Sequence, residues 1–163
     1  MEIRSRYISS MGLVYDVVYR DMASEKDIEN KKVSAVHALC FYRDKLVIVY
    51  SERKGIWTPP GGGVEDGETA GEATIREIKE EANMKVIKHR FIGFQDIYET
   101  DKVVTQTRSV CIVEPYGDFI ADPDDGEITE IKLIDPKDYQ QYFNWGEIGD
   151  RIMQRALELL PTL

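Results

Sequence analysis

Six glycine or charged positions near the middle of the chain carry most of its chemistry: Gly62, then Glu68, then Arg76-Glu77 and Glu80-Glu81. Glu77, Glu80 and Glu81 stand at i, i+3 and i+4, so in a helix they share one face. Like charges at that spacing repel and weaken the helix. A chain that gathers three there neutralises them with something positive, and an all-oxygen carboxylate set suits a hard divalent cation, Mg2+ or Mn2+. Arg76 reaches Glu80 at i+4. Glu68 lies just ahead of the helix and can fold back onto Arg76, which would hold it by a two-pronged hydrogen bond.

The elements that must position these groups can be read around them. Thr69 and Glu72 form a capping box, which satisfies free N–H groups and starts the helix. Asn83 is suited to a left-handed C-terminal cap, so the helix should end there. Ile75, Ile78 and Ala82 make an apolar stripe expected to face a sheet. Upstream, Trp57-Thr58-Pro59-Pro60-Gly61-Gly62-Gly63 is rich in residues that break regular structure and lets backbone approach a ligand. Residues 33–42 and 45–51 are β-rich runs joined at Arg43-Asp44, a hairpin candidate. Residues 85–98, broken at Gly93, and 103–114 are also β-rich. An acidic loop, Asp118–Gly126, precedes a strand near 127–134. Asp135-Pro136 opens a short helical turn, and residues 145–160 read as the last helix. Residues 2–8 and 13–20 look like strands of a hairpin turning at Ser9–Gly12, and the charged connector 21–32 has room for a helical turn. These first 32 residues form an N-terminal extension on a domain spanning 33–163. They add strands to a sheet edge or make a homodimer contact, and the sequence leaves both open.

Composition narrows the classes. The 163 residues fit one domain with a proper core. A net charge of −9 argues against binding duplex nucleic acid, which needs a basic stripe, and against anionic membranes. An acidic protein acting on phosphates needs metal ions to bridge the repulsion. No apolar run of about 18 residues is present, so no membrane-spanning helix is expected. The N-terminal segment lacks the pattern of a signal peptide, so the chain reads as cytoplasmic. Cys40 and Cys111 sit in strand-like runs and read as buried thiols. His37 and His89 have no histidine partner nearby, which argues against zinc.

The stretch from Gly62 to Met84 resembles the Nudix box, Gly-x5-Glu-x7-Arg-Glu-U-x-Glu-Glu-x-Gly-U, with U a bulky aliphatic residue. The matching positions are Gly62, Glu68, Arg76, Glu77, Ile78, Glu80, Glu81 and Met84. Asn83 replaces the family glycine, where a helix cap is the physical requirement. On its own, EIKEEA would read as a solvated acidic face. Glu68 and Arg76 at their offsets, after a glycine-rich turn, favour the metal site.

The resemblance implies an α/β/α sandwich with a mixed sheet. It also implies a hydrolase that cleaves a nucleoside diphosphate linked to another group, with water attacking phosphorus. Glu77, Glu80 and Glu81 would be ligands of magnesium or manganese, joined by the Gly62 carbonyl. Arg76 and Glu68 would orient them. Glu65, Glu127 and Glu130 are candidates for the general base. Arg53 and Lys54 are candidates to meet a phosphate, and Trp57, Phe94 and Tyr98 to stack on a base, against the plainer readings of solvation and core packing. No proline stands about fifteen residues past the box, where many ADP-ribose hydrolases of the family carry one. The extra motifs of family members acting on NADH or coenzyme A are also missing, and these absences narrow the choice toward nucleoside triphosphates, including damaged ones, or another small-molecule substrate not yet identified. The alternative from another class is a Nudix-fold module that binds a nucleotide or protein and catalyses nothing.

Overall fold

The computed structural model describes residues 1–119 and 127–163. Among them, nine strands form one mixed sheet: β1 (Glu2–Ile8), β2 (Val14–Asp21), β3 (Val33–Tyr42), β4 (Lys45–Ser51), β5 (Ile56–Thr58), β6 (Gly61–Gly63), β7 (Met84–Tyr98), β8 (Val103–Pro115) and β9 (Ile128–Ile134). The main path runs β1-β2-β7-β8-β3-β4-β5, with β6 paired to β3 and β9 to β4. Only the β3–β8 pair is parallel. Two α-helices are described, α1 (Ala70–Ala82) and α2 (Gly146–Leu159), with 3-10 turns at Glu25–Ile28 and Pro136–Gln141.

Side chains alternate across each strand, and the two faces bury different helices. On one face, Ala38 and Cys40 of β3, Val47 and Val49 of β4 and Cys111 of β8 pack with Ile78 and Ala82 of α1. On the other, Leu39, Phe41, Leu46, Ile48 and Val110 pack with Ile148, Ile152, Met153 and Ala156 of α2. The result is a helix–sheet–helix sandwich, the architecture expected.

Residues 1–32 join this sheet through β2, which pairs with β7 from Asp16↔Tyr98 to Asp21↔Gly93. The hairpin turns through Gly12 at φ +80°, a left-handed conformation glycine adopts without strain. Asp21 accepts from Arg151 of α2 at 2.5 Å and pins the end of β2 to the helix layer. β1 is the sheet edge.

Three local readings need correction. The helix stripe is not Ile75, Ile78 and Ala82: Ile75 is 50% exposed, and the buried side is Ala73, Thr74, Ile78 and Ala82. Thr74 tolerates burial because its hydroxyl donates to the Ala70 carbonyl at 2.7 Å. The glycine-rich stretch is not free of regular structure, since β5 and β6 lie within it. Gly93 does not end a strand; β7 runs on through it with a bulge between Phe91 and Gly93. The acidic loop read at Asp118–Gly126 falls mostly on 120–126, outside the described residues. No helix among the described residues is long and apolar enough to cross a membrane.

Candidate active site

The site is built where α1 passes over β6. Thr69 caps the helix as the sequence implies: its hydroxyl accepts from the Glu72 N–H at 3.1 Å, and Glu72 accepts from the Thr69 N–H at 3.2 Å. Asn83 ends it in the left-handed region, at φ 51° and ψ 44°, with its N–H donating to the Lys79 carbonyl.

Arg76 is the hub. Its Nε and Nη2 donate to the two oxygens of Glu68 at 2.8 and 2.9 Å, the two-pronged contact anticipated from spacing. Its Nη1 donates to Glu77 at 3.0 Å and Glu80 at 3.1 Å, and Nη2 also donates to the Gly63 carbonyl at 2.9 Å. Glu65 approaches within 3.8 Å. The Arg76 hydrogen bond holds the Glu68 carboxyl down to about 2. Glu77 moves the other way. Burial pushes it up, Arg76 pulls it down, and the nearby charges of Glu80 and Glu68 push it up again, leaving it raised.

The glycines of β6 bring backbone against these carboxylates. A side chain at Gly62 would overlap the Glu77 carboxylate. The Gly61 N–H donates to Glu81 at 2.7 Å. Thus Gly62, Glu68, Arg76, Glu77, Glu80 and Glu81 meet in one place. Among the described residues no three such side chains converge as a ready-made cage, since Glu77 and Glu80 are turned to Arg76 and Glu81 to Gly61. The donor chemistry nonetheless fits a hard cation. One guanidinium is shared by three carboxylates, so negative charge is left over, and every donor is oxygen.

The other sequence candidates lie elsewhere. Arg53 pairs with Glu127 at 3.2 Å, and Lys54 stands 3.9 Å from the same carboxylate. Trp57 belongs to an aromatic group with Tyr50 (5.1 Å) and Tyr142 (6.1 Å), and the Lys132 ammonium lies over its ring. Glu130 is exposed on β9, opposite Tyr50. Phe94 is buried with Met22 and Phe91, which removes it as a stacking surface, while Tyr98 is exposed at the end of β7. Sequence reasoning gave Arg108 no role and dismissed His37. The structure buries the first beside the second, under Trp145, whose ring lies 5.3 Å from the guanidinium carbon and 5.5 Å from the imidazole.

Comparison with known proteins gives the same outline. A family model described as the NUDIX domain matches residues 31–156. The Nudix hydrolase YvcI of Bacillus subtilis (strain 168) is 28% identical over 115 residues, covering 68% of this chain and 73% of that protein. A putative 8-oxo-dGTP diphosphatase of the same organism, YtkD, is 32% identical over 71 residues, 44% of each chain. The crystal structure of the Bacillus subtilis pyrophosphohydrolase BsRppH aligns with a TM-score of 0.72 over 94% of this chain and 96% of that one, at 18% identity. The MutT structure from Aliivibrio salmonicida and Vibrio cholerae work aligns at 0.54 over 78% and 99%, at 19% identity. At these identities the structural matches establish the fold alone.

Proposed function

The chain belongs to the Nudix family of hydrolases, and from that premise we propose that it hydrolyses, with magnesium or manganese, the diphosphate bridge of a nucleoside diphosphate linked to another group. A nucleoside triphosphate is the favoured form. The observation that carries this is the Arg76 hub, one guanidinium held among Glu68, Glu77 and Glu80 against the backbone of Gly61–Gly63. The names of YtkD and BsRppH point to the same class of phosphoanhydride chemistry.

Glu77, Glu80, Glu81 and the Gly62 carbonyl are the residues that would hold the cation. When bound, the cation supplies charge neutralisation at the diphosphate and lowers the pKa of an attacking water. Arg76 keeps Glu77 and Glu80 on one side of α1 before any ligand arrives, and Glu68 fixes Arg76 from its other edge. The glycines of β6 let the Glu77 carboxylate lie directly against the backbone at Gly62, which brings that carboxylate beside the Gly62 carbonyl. Arg53 and Lys54, on the β4–β5 turn, both face Glu127 and would supply positive charge to a phosphate. Residues 33–163 form the hydrolase domain in this reading, and 1–32 an extension packed on it.

The test is release of phosphate or nucleotide from a panel of nucleoside diphosphate compounds, with and without Mg2+, beside Glu81→Gln. Glutamine keeps the size and the carbonyl acceptor for the Gly61 N–H while removing the charge. Release should require the metal and fall at least about 100-fold in the variant, beyond the 10–100-fold typical of an outer-shell partner. Wild-type turnover in Glu81→Gln would refute the ligand assignment. No release from any compound, with Mg2+ still raising Tm, would favour a binding module.

A further inference from the structure

On the α2 face of the sheet, one row of residues crosses four strands. In register, Gly93 on β7 faces Arg108 on β8, Arg108 faces His37 on β3, and His37 faces Gly61 on β6. Tyr19 of β2 leans its hydroxyl over Gly93, where any side chain would strike it. The His37 ring lies over Gly61 in the same manner. The row therefore ends at the residue whose N–H holds Glu81 on the opposite face.

This row is polar, and its hydrogen bonding is incomplete. Arg108 is 5% exposed and Tyr19 fully buried. Arg108 Nε and His37 Nδ1 are buried with no hydrogen-bond partner, while Tyr19 interacts with Asp21. Arg108 donates from Nη1 to the Thr107 carbonyl and from Nη2 to Gln106 Oε1, both at 3.0 Å. A guanidinium has five N–H groups, so the remainder are unspent. No carboxylate pairs with Arg108 among the described residues. An unpaired buried charge is among the most costly groups a fold can hold. Burial, with the charges of Arg108 and Lys54, pushes the His37 imidazole down to about 3, so it is neutral at pH 7.

Arg108 itself is buried, but the residues around it are less so. His37, Gln95, Gln106 and Trp145 are each only half-buried. Trp145 begins α2 with no side-chain cap, and Gly146 follows at φ +64°. The indole is thus held by its contacts with Arg108, His37 and Phe143 rather than by a helix cap.

We propose that Arg108, flanked by His37 and Gln106, reads the acceptor edge of a 6-oxopurine base in the substrate, with Trp145 giving way to stack on the ring. A guanidinium fork matches the O6 and N7 acceptors of guanine or hypoxanthine. Adenine presents an amino donor at the same position, donor facing donor. The aromatic cover favours a planar base over a bare phosphate, which needs no stacking partner. This inference rests on the nucleotide reading above and adds its base specificity.

The experiment has two arms. Calorimetric titration with GMP, IMP and AMP, without metal, measures base preference apart from hydrolysis. Hydrolysis of GTP and ATP with Mg2+ measures it in turnover. The wild-type protein should bind GMP and IMP about 5- to 100-fold more tightly than AMP, the range of one two-pronged contact. Arg108→Met should bring the ratio near one with the fold retained, and Arg108→Lys, which restores charge without the fork, should leave it there. Equal binding of GMP and AMP by the wild type, or a preference that survives Arg108→Met, would overturn the proposal and leave the row as polar core satisfied by buried water. Magnesium-dependent hydrolysis without base preference would sink this inference alone. A GMP preference without hydrolysis of any nucleotide would sink the hydrolase reading and leave this one standing.

Discussion

Arg76 and Arg108 lie on opposite sides of one sheet in opposite surroundings. Arg76 has too many carboxylates: Glu68, Glu77 and Glu80 all accept from it, and its guanidinium is held charged by the Glu68 hydrogen bond above all. Arg108 has none, and burial pulls it down to about 10. The first region carries surplus negative charge at a partly open surface. The second carries surplus positive charge under an aromatic ring. Each imbalance is what a ligand of the opposite character would correct, a cation on the α1 face and an acceptor-rich base on the α2 face. Gly61 lies between them, touching His37 on one side and Glu81 on the other. A diphosphate-linked base is a ligand with both needs in one molecule.

The largest expected effect comes from replacing each arginine by methionine. Arg76→Met leaves three carboxylates facing one another without their shared donor, so kcat/KM should fall about 10- to 100-fold, as for an outer-shell partner, and Tm should drop. Arg108→Met removes a buried charge that has no counter-ion, and such replacements are often neutral or stabilising. Its Tm should hold or rise. Parallel melting curves decide the matter. A drop in Tm for Arg108→Met as large as that for Arg76→Met would mean that Arg108 is already compensated, and the contrast between the two regions would collapse.

The two regions also differ in how far they can be read from the chain. The α1 constellation is local. Capping chemistry at Thr69 and Glu72, helical spacing of the glutamates and the left-handed preference of Asn83 all act within one element. Arg108 and His37 meet only because β8 pairs in parallel with β3, a long-range event that no spacing announces. Ile75 is misread for a different reason. Rows at i, i+3, i+7 and at i, i+4, i+8 fit a helix equally, and counting Thr74 as polar hid the second. The strand β6 is all glycine, with no alternation of side chains to betray it.

A third arginine gives a case between these extremes. Arg151 pairs with Asp21, which also meets the Met1 amine at 3.4 Å and Arg155 at 4.0 Å, and the contact joins the N-terminal hairpin to α2. Burial pushes the Asp21 carboxyl up, but the Arg151 hydrogen bond and charge, with the chain's N-terminal amine, outweigh it and hold the carboxyl below its ordinary 3.8. A depressed carboxylate contributes stability that is complete above the unfolded pKa and lost as pH falls through the folded one. Asp21→Asn should therefore cost about 1 kcal/mol at neutral pH, a low value for a charged hydrogen bond because water screens part of it. The variant should flatten the decline in Tm below about pH 4. An unchanged acid slope would show that this pair is not what ties the extension to the domain.

The smallest effect is expected at Asn83, and it isolates geometry from charge in the α1 region. Three terms compete in Asn83→Gly. Glycine relieves a left-handed conformation, for which asparagine already carries little strain. It also frees the unfolded chain, which works against the fold. Finally it deletes the hydrogen bond from Asn83 Nδ2 to the Asp118 carbonyl at 3.1 Å, worth about 0.5–1.5 kcal/mol where buried and less at an exposed site. These terms nearly cancel, so denaturant unfolding should place the variant within about 0.5 kcal/mol of the parent. Turnover should be unchanged, because the cap fixes where α1 ends and touches none of Glu77, Glu80 or Glu81. A marked gain in turnover would mean that asparagine, standing where the family pattern has glycine, misplaces the glutamates, and that the surplus of carboxylates around Arg76 is partly a product of that cap.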